Sequence, residues 1–385
     1  MKGFIRRKKY KDSKGKCDHV NLPKEYKNCM GRTWATESLI AQTLTMHFYY
    51  HMTIGDIEAW LKGMGLKYAH STVMRWIEIG ANILEPLDDS LHEEIIASGN
   101  VHGDESILGY KDQRLPGKGE TIEDVEDELH FFKRRIFCYY APMLGLTQFV
   151  FHERGRRTQE KVKKYFEDVM EKIYLHSDGT SIYKCYDVEE LIKRIACLVH
   201  MRRPFFKLKF FSEDAMMILK LFETIFSENK LIKTWFSKPN DIRRERVLRI
   251  VPMLNDLKSY LDKLVKNIEK EEEPELLKDV SDALTEYHFM LRYLEDGSLD
   301  ISNNVSERQI RRITKYRNNS YFIGSPESGV RFARLMSYFA NIRKYNLNPL
   351  EYLCDAFRRI KKTAKDKLVD LLAHRWKQTI ATAWA

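Results

Sequence analysis

Asn100-Val101-His102-Gly103-Asp104-Glu105-Ser106-Ile107-Leu108 breaks the helical pattern that precedes it: its ends are strand-like and its centre is acidic. From Thr33 to about Ser98 the apolar residues recur at helical spacing, and at Gly99 the period changes. An acidic loop bearing Gly and Pro follows, from Lys111 to about Leu129. Arg135-Ile136-Phe137-Cys138-Tyr139-Tyr140 and Thr147-Gln148-Phe149-Val150-Phe151 then give a β-hairpin of aromatic and β-branched residues. A helix is expected from about Thr158 to Met170, with Val162, Tyr165, Phe166 and Val169 on one face. Lys172-Ile173-Tyr174-Leu175-His176 runs as a short strand into Ser177-Asp178-Gly179.

The order is strand, strand, strand, helix, strand, with one Asp in the first strand and another at the end of the last. In a ribonuclease-H-like fold the first and fourth strands are neighbours, which would bring Asp104 and Asp178 together. A later helix packed on the sheet would add a third acid. Asp300-Ile301-Ser302-Asn303-Asn304-Val305-Ser306-Glu307-Arg308-Gln309-Ile310-Arg311-Arg312 supplies it: Ser302 or Asn303 can cap a helix that starts just before Glu307. There the helix dipole favours the charged carboxylate. Ile310 and Ile313 begin a core-facing stripe, while Arg308, Arg311, Arg312 and Lys315 offer cations suited to phosphate. Taken alone, the same stretch is a solvated basic helix.

The expected fold class is mixed α/β: a ribonuclease-H-like mixed sheet with a large all-helical insertion and an N-terminal helical domain. Residues 1–32 read as a basic flexible arm, 33–98 as a helical region and 99–178 as the first part of the catalytic domain. Residues 179–300 read as a helical insertion, 301–361 as the second part of the catalytic domain and 362–385 as a C-terminal tail.

In the N-terminal region Leu39, Ile40, Leu44 and Phe48 make one amphipathic helix. Thr53 to Leu61 and Ser71 to Ile77 read as two short helices around a break at Gly63-Met64-Gly65, with Ser71 as N-cap of the second. A helix-turn-helix would lay that second helix, which carries Arg75, in the major groove. Trp60, Val73, Trp76 and Ile77 equally suit the packing of a small bundle, and both readings stand. Between Asp178 and Glu307 a long helical stretch is expected. Leu254, Leu257, Leu261, Leu264 and Ile268, then Val280, Leu284, Tyr287, Leu291 and Leu294, form a helical hairpin about Glu271-Glu272-Glu273-Pro274. Beyond a turn at Gly324 to Gly329, helices from Val330 to about Tyr345 and from Pro349 close the core.

With 65 Lys and Arg against 55 Asp and Glu, the formal charge is +10 over 385 residues, which favours a polyanionic partner such as nucleic acid. The 6 cysteines lack paired spacing, which argues against a disulfide framework and for a reducing compartment. Cys17, His19 and Cys29 lack the second close pair of a zinc site. Ile136 to Phe151, the most apolar run, is broken by Pro142 and Gly145 and is short for a membrane helix. No signal peptide is evident, so a cytoplasmic, nucleoid-associated protein is expected.

Three carboxylates on a sheet and a helix make a hard-oxygen site suited to Mg²⁺ or Mn²⁺. Two such ions about 4 Å apart can activate a water or a 3′-hydroxyl and stabilise the leaving oxygen of a phosphodiester displacement. His102 and Glu105 flank Asp104, and strand alternation is expected to point both away from it.

Val101-His102-Gly103-Asp104-Glu105-Ser106 resembles the first-Asp motif of the DDE transposases of the insertion sequence sixty-six family, and His176-Ser177-Asp178-Gly179 with Tyr183 resembles their second. Cys197-Leu198-Val199-His200-Met201-Arg202-Arg203-Pro204-Phe205 is similar to a further element of that family, and Asn303-Asn304 through Glu307-Arg308 to the motif carrying the Glu. Phe322-Ile323-Gly324-Ser325 and Leu371-Leu372-Ala373-His374-Arg375-Trp376 extend the likeness, which covers roughly residues 35 to 380. The resemblance implies cleavage at the element's ends followed by attack of the freed 3′-OH on target DNA. It implies Asp104, Asp178 and Glu307 as a triad binding two Mg²⁺ or Mn²⁺ ions. Arg202, Arg203, Arg308, Arg311, Arg312 and Arg75 are candidates for contact with double-stranded DNA. A homo-oligomer on DNA and accessory proteins of the same element are the further expected partners. Cys197 and His200 read as a buried structural pair. Family members usually carry a longer N-terminal region with a zinc-binding segment, and Cys17 and Cys29 do not restore its cysteine pairs. Two other readings remain: a decayed, non-catalytic DNA-binding protein, and a nuclease without strand transfer.

Overall fold

The computed structural model describes residues 9–11, 17–19, 30, 33, 35–113, 129–152, 159–267, 273–319 and 323–377. Near the N-terminus, β1 (Lys9–Lys11) and β2 (Cys17–His19) pair antiparallel, so part of the expected flexible arm is an ordered ribbon. Cys29 lies outside the described residues.

Four helices follow: α1 (Glu37–Leu44), α2 (Ile54–Gly63), α3 (His70–Leu84) and α4 (Leu87–Ala97). A π-helical turn, Thr45–Tyr49, continues α1 and carries Phe48 into the core with Ile40 and Leu44. Thr53 and Asp56 form a reciprocal capping box at the start of α2, satisfying two free backbone N–H groups. Helix α3 begins at His70 without a side-chain cap, so Ser71 does not play the role expected of it. Val73, Trp76 and Ile77 are buried as a bundle requires, whereas Trp60 is 38% exposed.

The sheet is built from β3 (Asn100–Gln113), β4 (Leu129–Ala141), β5 (Leu146–Phe151), β6 (Ile173–Ser177) and β7 (Ile192–Ala196), in the order β5-β4-β3-β6-β7. Strands β3, β4 and β5 pair antiparallel, while β3 with β6 and β6 with β7 are parallel. The first and fourth strands of the sheet are therefore neighbours. Both arms of the first hairpin are longer than the sequence suggests, each running into the expected loop. Helix α5 (Gln159–Tyr165) is shorter than expected, because the chain leaves it in a turn at Phe166.

The stretch after Asp178 is not wholly helical: β7 lies within it and adds a fifth strand. Helices α6 (Leu198–Arg202), α7 (Phe205–Leu208), α8 (Glu213–Trp235), α9 (Pro239–Asn267) and α10 (Pro274–Leu291) follow. Leu254, Leu257, Leu261 and Leu264 are buried in the hairpin of α9 and α10 with Val280 and Tyr287; Ile268 lies outside the described residues. This hairpin, with α8, builds one hydrophobic cluster, to which Ile195 and Ala196 of β7 belong. A second cluster joins the sheet to α1–α4 and takes Ile192 from the same strand. Strand β7 thus couples the two. Gly297 has no room for a side chain, since a Cβ there would lie 1.9 Å from the Pro239 carbonyl oxygen.

Three helices complete the chain: α11 (Asn304–Asn319), α12 (Pro326–Lys344) and α13 (Pro349–Arg359). Ser325 caps α12 four residues earlier than the sequence suggests, and Pro326 fits the first helical turn because its missing N–H needs no acceptor there. Helix α12 covers the open edge of β5: Asn341 brackets Thr147 with bonds of 2.8 and 3.0 Å, and Ser337 Oγ accepts from Phe149 N at 2.7 Å. Side chains thereby close an edge that would otherwise pair with another strand. The expected tail is not merely appended. Leu368, Leu371 and Leu372 are buried in the sheet's cluster, and His374 and Arg375 pair with Glu94 of α4.

Candidate active site at the end of the sheet

Asp104 projects from β3 opposite Cys138, Asp178 follows the last residue of β6, and Glu307 lies in the first turn of α11. A chain of hydrogen bonds ties their three elements together. Asn303, just before α11, donates its side-chain amide to the Gly103 carbonyl at 2.9 Å, beside Asp104. Its backbone N–H donates to Cys197 Sγ at 3.2 Å, and Cys197 N donates to the carbonyl of Ser177, beside Asp178, at 3.2 Å. Asn303 and Ser306 are fully buried, and Ser306 Oγ donates to Asn303 Oδ1 at 2.7 Å. The backbone carbonyl of Asn303 accepts the first N–H groups of the helix, but its side chain is spent on the strand rather than on capping. Ser302 shows no capping bond among the described residues.

Burial pushes the Asp104 carboxyl up to about 7, and the carboxylates of Asp178, Glu307 and Glu105 push in the same direction. The backbone N–H of Glu105, 2.8 Å from Asp104 Oδ1, partly opposes them. Asp178 accepts from the Thr180 hydroxyl. Glu307 Oε1 lies 3.3 Å from both His200 Nε2 and Arg203 Nη2. Burial and Arg203 lower the His200 pKa, against the pull of Asp178 and Glu307.

Cys197 and His200 therefore act on the acid-bearing helix, Cys197 as a buried acceptor and His200 as a contact of Glu307. Neither role was readable from the sequence. His102 does not point away from Asp104 as expected, because two positions along a strand share a face. It is fully buried and stacks on His176 at 4.1 Å. Glu105 turns to Arg135 at 3.4 Å.

Asp104, Asp178 and Glu307 are hard oxygen donors on three separate elements, the donor type that Mg²⁺ or Mn²⁺ takes. Among the described residues, no group of three His, Cys, Asp or Glu side chains is placed to hold a metal ion as it stands.

The predicted DNA-contacting arginines fall into three groups. Arg308 and Arg311 are exposed on α11, and Arg312 is half-buried against Gln309. Arg203 is on Glu307, while Arg202 lies 4.9 Å from the rings of both Phe206 and Phe226. Arg75 is exposed on α3 and lines a groove of about 900 Å³ with Tyr316, Arg331 and Phe332. Among the described residues, no helix is long and apolar enough to cross a membrane.

Residues 32–331 match the family model described as Transposase IS66 family, and the chain belongs to that family. It is 25% identical over 360 residues to uncharacterized protein y4jD of Sinorhizobium fredii (strain NBRC 101917 / NGR234), covering 89% of this chain and 66% of that protein. It is 22% identical over 358 residues to uncharacterized protein y4hP of the same organism, covering 89% of this chain and 63% of the relative. The chain thus spans just under two thirds of the length of these relatives. No solved structure matches it.

Proposed function

We propose that the protein is a DDE transposase that cuts DNA at the ends of a mobile element and joins the freed 3′-OH to target DNA. The observation that carries this reading is the bonded chain Gly103–Asn303–Cys197–Ser177, which ties together the backbone beside each of the three acids. The strand order, with β3 beside β6, supports a ribonuclease-H-like catalytic domain interrupted by the α6–α10 insertion.

In this reading Asp104, Asp178 and Glu307 hold two Mg²⁺ or Mn²⁺ ions. Such ions, when bound, activate the attacking oxygen and stabilise the leaving one. A cation held there would favour the ionised form of Asp104, whose carboxyl burial holds up at about 7. Glu307 would be the ligand from α11, and Arg203, now 3.3 Å from its Oε1, is the cation placed to meet a phosphate there. Arg308, Arg311 and Arg312 steady the DNA backbone beyond, and α3 with Arg75 contacts duplex DNA. The protein works on nucleoid DNA as a homo-oligomer, with accessory proteins of its element.

Incubation with element-end DNA and Mg²⁺, with Asp104→Ala and Glu307→Ala as controls, tests the proposal. Cleavage by wild type alone is expected. Equal cleavage by all three proteins rejects the triad.

A further inference from the structure

Arg202-Arg203-Pro204-Phe205-Phe206-Lys207-Leu208-Lys209-Phe210-Phe211 carries 4 phenylalanines and 4 cations and no carboxylate. Burial divides these rings sharply. Phe205 is fully buried, its ring 6.4 Å from Phe222, and anchors α7 to α8. Phe206 is 42% exposed, Phe210 80% and Phe211 87%. Two adjacent phenylalanines left almost wholly in water forgo the burial that normally stabilises such large apolar side chains. They are not loosely held, for Phe211 N donates to the Leu208 carbonyl at 2.9 Å and Ser212 N to the same oxygen at 3.0 Å.

Cations stand among these rings. Lys209 Nζ is 4.7 Å from the Phe210 ring centre and 5.5 Å from that of Phe206, and the Arg202 guanidinium is 4.9 Å from Phe206. Arg203, at the start of the same stretch, touches Glu307. The stretch that carries the rings therefore reaches the candidate active site through Arg203.

We infer that Phe206, Phe210 and Phe211, with Lys207 and Lys209, form a stacking platform for unpaired bases of a DNA strand beside the site. The inference rests on the proposal that the chain processes DNA. An intact duplex keeps its base faces stacked inside and would use only the cations, whereas an unpaired strand offers base faces and phosphates at the spacing of alternating rings and charges. A protein partner would engage the rings and would still have to meet the charges of Lys207 and Lys209 beside them.

The test is fluorescence anisotropy with labelled single-stranded and duplex oligonucleotides of the same sequence, on the full chain in EDTA. Phe210→Ala/Phe211→Ala is expected to weaken single-strand binding roughly tenfold to a hundredfold and duplex binding less than about twofold. Phe210→Tyr/Phe211→Tyr keeps the rings and is expected to restore single-strand affinity. Lys207→Ala/Lys209→Ala is expected to weaken both and flatten the salt dependence. Equal single-strand affinity in the wild type and the alanine variant overturns the platform, as does an equal loss for both DNA forms. Binding in EDTA is read without metal and without cleavage. A failure of cleavage and a failure of the platform are therefore separate results.

Discussion

Buried charge is treated in opposite ways on the two sides of β7. On the insertion side Arg194 is fully buried, with Asp187 on one flank and Glu286 at 2.8 Å on the other, and Phe289 beneath its guanidinium. Arg246, equally buried, donates to Asn229 and faces the carbonyls of Tyr293, Asp296 and Gly297. On the sheet side Asp104 sits among carboxylates of its own sign. The first arrangement resolves its charge internally and serves architecture. The second keeps carboxylates together at a cost in stability, the pattern a site that gives up stability for activity would show.

The largest effect should come from relieving that cost. Asp104→Asn is expected to reduce DNA cleavage at least roughly a thousandfold while the melting temperature holds or rises, as read by thermal unfolding. Unfolding of this variant would show that the carboxylate is structural, like Arg194.

Next comes the resolved side. Arg194→Met takes the guanidinium from Asp187 and leaves Glu286 with Lys184 alone, and should cost about 3–5 kcal/mol in urea unfolding. Adding Glu286→Gln should recover part of the loss, because the stranded charge goes with it. A single variant as stable as wild type would erase the contrast between the two sides.

Asn303→Ala then probes the link itself. It leaves the buried Gly103 carbonyl without its donor and is expected to cost about 1–3 kcal/mol, with cleavage slowed more than stability alone explains. Comparing kcat with the unfolding midpoint separates the two.

The smallest effect is in pH. His102 is held down to about 4 by burial, and burial holds His176 well below its ordinary value too, so the unfolded chain binds protons on these rings first. Their contribution to stability is complete above about 6.5 and lost as pH falls towards 4, about 1.4 kcal/mol per histidine at one unit below 6.5. Urea midpoints across that window, in wild type and His102→Phe/His176→Phe, should show a slope that the variant flattens.

Much of the sheet was legible, because β-branched and aromatic residues at period two mark β3 to β6 and because the acids stand in or just after those strands. Strand β7 was not. Ile192-Lys193-Arg194-Ile195-Ala196 is short and carries two cations, and Arg194 becomes a core residue only through Glu286, far along the chain. The candidate site was half legible in the same way: acid identity is local, but the contacts that place α11 run from Cys197 to Asn303 across 106 positions and from Arg203 to Glu307 across 104, with His200 beside it. Helix ends were less legible: Thr53, Ser325 and Asn348 cap through neighbours in sequence, but Ser71 does not cap α3 and Asn303 turns its side chain to β3.

Glu94 receives His374 Nε2 and Arg375 Nη2, each at 2.7 Å, across 280 and 281 positions of chain. A growing polypeptide cannot finish this corner of its core until ribosomal synthesis has passed Arg375. Products interrupted earlier would leave α4 with an open apolar flank for chaperones and proteases to find.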